Sequence, residues 1–223
     1  MLKEPLTIEK LKEILKSKKL EQLIGYAENN FFDAKGEFYN LNDPKDKHEI
    51  CKDITAFANN IGGYLLIGCG TDKLEMSRVE YIKNVEGISD FPEMDKIHSL
   101  LSDYVYPNSI GTLIDFEQIV ANNGNKFFLI TIIKNSDGTL YFVKKDAPNS
   151  QDFFAFYIRT DDRGVRQSIG HIHELVQQGI YFEKYLKNVT GTTEKILDNT
   201  EKLLGKTHKT ISLGMRYDIK KDL

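Results

Sequence analysis

The stretch from Glu28 to Asp72 constrains the fold of this 223-residue chain more than any other. An acidic segment, ENNFFDAKGEFY, leads through a charged loop to the periodic segment KHEICKDITAFANN, then to Gly62-Gly63 and the apolar run YLLIG. This order predicts a strand, a helix, a tight turn at the two glycines and a central strand. Such a unit could gather the carboxylates of Glu28, Asp33 and Asp72, and a cation, a proton or a basic ligand would have to neutralise them.

The composition is that of a globular protein with one sizeable core, since 40% of the residues are hydrophobic and 28% are charged. The two cysteines, Cys51 and Cys69, suit a reducing compartment and are too few for a four-ligand zinc site. No apolar run approaches the ~20 residues that span a bilayer, and the N-terminus lacks the apolar core of a signal peptide. We therefore expect a cytoplasmic protein with no membrane partner.

The order of predicted elements indicates an α+β fold, a mixed β-sheet flanked by helices. Periodicity and turn residues predict helices over 8–25, 47–61, 92–106 and from 168 onward, and strands over 31–35, 64–69, 110–120, 126–135, 139–144 and 153–159. We expect one domain over 1–189. The sparse apolar positions of 190–223 predict a separate C-terminal helical arm with a mobile tail.

Three strings, ENNFFDAK, KDITAFANNIGGYLLIG and FYIRTDDRGVRQS, resemble the Schlafen AlbA-type domain over about residues 20–185. The resemblance implies an AlbA-like fold and leaves two activities open. One is a metal-dependent endoribonuclease that cleaves structured RNA such as tRNA, in bacterial or antiviral defence. The other is a non-catalytic module that binds ATP, another nucleotide, DNA or RNA. The C-terminal helices leave a third hypothesis open, an assembly partner of a larger complex.

The nuclease members of this family use three carboxylates around Mg²⁺ or Mn²⁺. The resemblance implies catalytic roles for Glu28, Asp33 and Lys35, and a metal site made of Glu28, Asp33 and Asp72. The third ligand is open, because this chain has Cys69-Gly70-Thr71-Asp72 where nuclease members have Asp-Asp, and a strict alignment places Thr71 at the metal position. Without the resemblance, an exposed, ion-paired strand face is the better explanation of Asp33 and Lys35, and a solvated position after a helix is the better explanation of Glu28.

The net charge of −3 gives no global sign of nucleic acid, so binding requires a local basic surface. Arginine binds phosphate in bidentate fashion, and lysine binds it as a point charge. The residues that we expect to contact nucleic acid, RNA rather than DNA, are Lys35, Lys52, Asn59, Lys144, Lys145, Arg159, Arg163 and Arg166. A solvated helix face or turn is the alternative for this group. We also expect a homodimer that frames a groove, and a protein partner for the C-terminal helices.

Overall fold

The computed structural model describes residues 3–73, 79–136, 138–144 and 154–179. The chain divides into two compact units, Met1–Ile169 and Gly170–Leu223. In the second unit, the described residues 170–179 are helical. The predicted arm over 190–223, and its boundary at residue 189, lie outside the described residues and stay a prediction.

The described part of the first unit begins with helices interspersed among strands and ends in a run of strands. The α-helices are α1 (Ile8–Ser17), α2 (Pro44–Ala58) and α3 (Met94–Tyr104), and 3-10 turns occur at Leu20–Leu23 and Asn108–Leu113. The strands are β1 (Phe32–Lys35), β2 (Gly63–Ile67), β3 (Cys69–Lys73), β4 (Glu80–Val85), β5 (Val105–Tyr106), β6 (Ile114–Val120), β7 (Lys126–Ile132), β8 (Phe142–Val143), β9 (Ala155–Thr160) and β10 (Arg163–Arg166).

These strands form two larger sheets and a ribbon. The first sheet has the order β1-β2-β7-β6, in which β1 and β2 are parallel and the other pairs are antiparallel. The second sheet has the order β10-β9-β8-β5 and is antiparallel throughout, while β3 and β4 pair as a two-stranded ribbon. The predicted α+β fold with a mixed sheet is therefore confirmed.

The central unit β1–α2–β2 forms for the reasons that its sequence indicates. Asp43 caps α2 by accepting from the backbone N–H of Lys45 at 3.0 Å, and Pro44 occupies the first turn. After the helix, Gly62 adopts a φ of +76°, which is unfavourable for residues with a side chain. A Cβ on Gly63 would meet the ring of Phe57 at 2.5 Å. The two glycines thus let β2 begin directly under the end of α2.

The core is built on both faces of the first sheet. One cluster joins α2 and α3 to the second sheet and includes Ile54, Phe57 and Phe128. The other packs α1 and the first 3-10 turn against the sheet through Leu11, Leu23 and Phe127. No helix in the described part of the chain is long and apolar enough to cross a membrane.

Two predicted boundaries are wrong in an informative way. The helix predicted over 8–25 ends at Ser17, because Lys18 takes a left-handed conformation and a short 3-10 turn follows. The segment after Gly68, for which no strand was predicted beyond residue 69, is the strand β3, which pairs with β4. Gly68, with a φ of +106°, separates β2 from β3, so the chain passes at this glycine from the first sheet into the ribbon.

Candidate functional site

A cavity of about 390 Å³ opens where β1, α2, the ribbon and the β9–β10 hairpin meet. Its described lining consists of one glycine and eleven charged side chains, six acidic and five basic. The acidic residues are Glu28, Asp33, Glu49, Asp53, Glu80 and Asp162; the basic ones are Lys35, Lys52, Lys73, Arg159 and Arg163, and the glycine is Gly164. Two of the three predicted acidic ligands, Glu28 and Asp33, are therefore together.

Glu28 and Asp33 are both buried at the inner wall of the cavity, with 7% and 1% of their surface exposed. Glu28 Oε1 accepts a hydrogen bond from the backbone N–H of Ala34 at 3.1 Å. Asp33 Oδ2 forms an ion pair with Lys35 Nζ, which lies 2.8 Å away. The prediction that Asp33 and Lys35 share one face of β1 agrees with this contact.

Arg159 lies inside the protein, behind the two carboxylates. Its Nε donates to the carbonyl of Asn29 at 2.9 Å, and Nη2 donates to the carbonyl of Phe32 at 3.1 Å and to Asp33 Oδ1 at 3.0 Å. Its guanidinium also stacks over the Phe57 ring at 4.5 Å. With 1% of its side chain exposed, Arg159 holds the Glu28–Asp33 turn in place and offers little surface to a phosphate.

The environment separates the pKa values of the two carboxyl groups. Burial, the nearby charge of Asp33 and a hydrogen bond with Asp33 raise the pKa of Glu28 to about 9. Burial alone would also raise the pKa of Asp33, but Lys35 and Arg159 hold it below its usual range. At neutral pH the pair therefore holds one proton, on Glu28, and one negative charge, on Asp33.

Asp53 is a buried carboxyl group at the cavity that the sequence analysis did not assign to the site. Its Oδ2 accepts a hydrogen bond from the Tyr39 hydroxyl at 2.7 Å, and burial raises the pKa of both groups. Burial lowers the pKa of Lys35, but the charges of Asp33 and Asp53 outweigh it, so the pKa of Lys35 stands above its ordinary value. The sequence contains one indication of this role, because Asp53 follows the predicted contact Lys52 on α2 and lies outside the apolar positions of that helix.

The ribbon brings a different acidic residue to the cavity from the one expected. Glu80 on β4 contacts Lys73 Nζ at 3.3 Å and accepts from the Thr71 hydroxyl at 3.4 Å. Asp72, next along β3, instead pairs with Lys83 Nζ at 2.8 Å. Alternation along a strand directs neighbours to opposite faces, so Asp72 and Thr71 cannot both face the cavity.

The predicted metal site of Glu28, Asp33 and Asp72 is not assembled in the structure. Asp72 is absent from the described lining of the cavity, and Lys35 and Arg159 already contact the two oxygens of Asp33. Among the described residues, no three His, Cys, Asp or Glu side chains are arranged to hold a metal ion. The residues present do not fit a three-carboxylate centre for Mg²⁺ or Mn²⁺, and such an ion stays a prediction.

Three of the residues expected to contact nucleic acid, Lys35, Lys52 and Arg163, line the cavity with part of their side chain exposed. Lys52 contacts Glu49 one turn earlier on α2 and lies 3.8 Å from Asp53. Arg163, at the start of β10, is half-exposed and lies 3.5 Å from Asp162. The hairpin approaches α2 closely, since a Cβ on Gly164 would lie 3.1 Å from that of Ala56.

Apart from Arg159, the other expected contacts that the structure describes do not line the cavity. The Asn59 amide donates to the carbonyls of Tyr141 and Tyr157 at 2.7 and 3.0 Å, and its oxygen accepts from the Tyr141 N–H at 2.8 Å, so it joins β9 to the segment before β8. Lys144 Nζ donates to the carbonyl of Ser102 at 2.7 Å and to Asn108. Neither Lys144 nor Arg166 lines the described cavity. Lys145 lies outside the described residues.

A family model described as Schlafen, AlbA_2 matches residues 28–167. That range covers more than half of the chain and contains β1, α2, the ribbon and the β9–β10 hairpin, so the chain belongs to the Schlafen AlbA_2 family. A nucleic-acid-related function is supported at the level of the family. No curated protein matches the chain.

Proposed function

We propose that the cavity binds the phosphate backbone of a nucleic acid, RNA rather than DNA. The observation that carries this proposal is the convergence on one cavity of four basic side chains that keep exposed surface, from four different elements: Lys35, Lys52, Lys73 and Arg163. The negatively charged chain has no overall attraction for nucleic acid, so a local cluster of this kind is the feature that phosphate binding requires.

The ion pairs at the mouth of the cavity suggest which cations exchange partners when phosphate binds. Lys73 and Arg163 have 71% and 55% of their side chains exposed, and their carboxylate partners lie 3.3 and 3.5 Å away. Exposed pairs of this kind stabilise a protein by about 0–1 kcal/mol, so a phosphate can replace the carboxylate at small cost. Arg159, by contrast, keeps its buried contacts and supports the inner wall.

The test is the affinity of the purified protein for fluorescently labelled tRNA at several salt concentrations. Lys52→Gln is expected to weaken binding and to lower the slope of log affinity against log salt by about 0.7–0.9, as for one lost phosphate contact. Lys10→Gln is the matched control, because Lys10 also pairs with a glutamate of its own helix, outside the cavity. Equal binding by both variants, or no binding of any nucleic acid, would contradict the proposal.

Cleavage of the bound RNA is a second candidate function, which the buried pair of Glu28 and Asp33 favours. Two carboxyl groups with widely separated pKa values are the arrangement that acid–base chemistry uses. The experiment incubates the protein with tRNA, with and without Mg²⁺ or Mn²⁺, and compares Asp33→Asn. Product that the unchanged protein forms with or without a metal ion, and that this variant does not form, would support an endoribonuclease. RNA that is bound but stays intact under every condition would leave a binding module.

A further inference from the structure

Four aromatic side chains form a row on one face of the second sheet. Tyr106, Phe142 and Phe156 are cross-strand partners on β5, β8 and β9, and such partners lie on the same face. Phe154 lies two residues before Phe156, hence on that face too. The ring centroids of Tyr106 and Phe154 are 6.2 Å apart, and those of Phe142 and Phe154 are 6.3 Å apart. We call these four residues the aromatic row.

The core of the first unit uses the opposite face of this sheet. Val105, Val143, Ala155 and Tyr157, which alternate with the aromatic row, are all buried in the cluster around α2. On the face of the aromatic row, Phe156 is buried with 1% of its surface exposed, whereas Tyr106 and Phe154 have 56% and 57% exposed. Two neighbouring rings more than half exposed to water are typical of a binding surface rather than of packing.

The charge beside the aromatic row favours an anionic ligand. Lys144 follows Phe142 by two residues, and its exposed ammonium group is directed to the end of α3, where it donates to the Ser102 carbonyl and to Asn108. Base-stacking platforms combine aromatic rings with a positively charged path for the backbone. A partner of this chemistry is a strand with unpaired bases.

The cavity proposed to bind phosphate has no aromatic surface on which a base could stack. All its described lining residues except Gly164 are charged, and none is aromatic. Stacking of a base on an aromatic ring would therefore occur elsewhere on the molecule. Phe154 precedes Arg159 by five residues of one continuous segment, about 17 Å at ~3.3 Å per residue, and the two residues lie on opposite faces of the sheet.

We infer that the aromatic row, with Lys144, is a second nucleic-acid site, at which unpaired bases stack on Tyr106 and Phe154. This inference rests on the proposed function. It adds a substrate class, single-stranded nucleic acid or the loops of a folded RNA, because bases within a duplex cannot reach a protein ring.

The chain contains no tryptophan, so a single introduced indole reports on this surface alone. In Tyr106→Trp and Phe154→Trp, a single-stranded oligonucleotide is expected to quench the fluorescence, and the same oligonucleotide in a duplex is expected to leave it unchanged. Ile133→Trp is the control, because Ile133 has 54% of its surface exposed and lies outside the row. Equal quenching in all three variants would overturn the inference.

Removal of the rings gives an independent measurement. Phe154→Ala and Tyr106→Ala are each expected to weaken binding of single strands about fivefold to a hundredfold, the loss for one stacked base, whereas Tyr106→Phe keeps the affinity of the unchanged protein. If Lys52→Gln weakens binding and these variants do not, the second site is wrong while the proposed function stands. If the alanine variants instead change only the sedimentation behaviour, the row is an interface between copies of this chain.

Discussion

The variant Arg159→Met tests whether the buried Arg159, and not the exposed Arg163, stabilises the carboxylates at the inner wall of the cavity. The substitution keeps most of the apolar volume but removes three hydrogen bonds of 2.9–3.1 Å, two to carbonyls and one to Asp33. Removal of one partner from a buried ion pair costs about 3–5 kcal/mol, since the remaining charge stays in the interior. We expect a loss of this size in the free energy of unfolding at pH 7, measured by urea titration followed by circular dichroism.

The same variant has a predictable dependence on pH. The folded-state pKa of Asp33 lies below its ordinary value, so the stabilisation from this carboxylate is present above the unfolded pKa, ~3.9, and is lost as the pH falls through the folded value. The difference between the unchanged protein and Arg159→Met should therefore be largest near neutral pH and smaller below about pH 4.

The control for this prediction is Arg163→Met, on the same hairpin. Arg163 is half-exposed and its nearest carboxylate oxygen, on Asp162, lies 3.5 Å away, so its loss should cost less than about 1 kcal/mol. The double variant Asp33→Asn/Arg159→Met should lose less unfolding free energy than the two single variants lose together, because both substitutions remove the same interaction. A cost for Arg159→Met no greater than for Arg163→Met would refute the reasoning.

Three further predictions concern the same region. Between about pH 4.5 and about pH 9 the folded protein keeps a proton on Glu28 that the unfolded chain releases, so the stability of the unchanged protein falls as the pH rises. Glu28→Gln removes this loss, and the unfolding free energy of the variant relative to the unchanged protein should therefore increase over that range. Gly63→Ala should lower stability by about 1–3 kcal/mol, because the new Cβ would lie 2.5 Å from the Phe57 ring. Asn59→Ala should cost about 2–3 kcal/mol in urea unfolding through three lost hydrogen bonds, and it should leave nucleic-acid affinity of the folded protein unchanged.

Each of these has a control or a contrary outcome. For Glu28, the exposed Glu13→Gln should keep the pH profile of the unchanged protein, and a parallel profile for Glu28→Gln would contradict the shifted pKa. Gly36→Ala should be nearly neutral, since its Cβ would lie 3.6 Å from the nearest atom. For Asn59, an affinity loss in a variant that remains folded would restore the residue to the binding surface.

Much of the fold follows from local patterns in the chain. The helix predicted over 47–61 is α2, and its apolar positions Ile50, Ile54 and Phe57 are buried. The Gly62-Gly63 stop is where the helix gives way to β2. These predictions were possible because apolar periodicity, caps and glycine conformations depend on residues within a few positions of one another.

The site was only partly predictable. Glu28, Asp33 and Lys35 were expected together and are together, whereas Asp72, the third ligand that the sequence left open against Thr71, pairs with Lys83. The error arises at Gly68, which turns the chain into the ribbon, so that the side-chain direction of each later residue depends on the pairing with β4. Pairing between strands is a long-range choice, and a shift of one residue reverses every side chain.

The sequence by itself determined the family, the order of the elements and which carboxylates stand beside a lysine, because these are properties of short segments. Only the tertiary structure decided that Arg159 is buried against Asp33, 126 positions earlier in the chain, and that Asn59 joins backbone segments. The sequence does not distinguish an arginine or lysine that binds phosphate from one that supports the inner wall of the cavity. Its burial and its partners distinguish the two roles, and both depend on packing between distant segments.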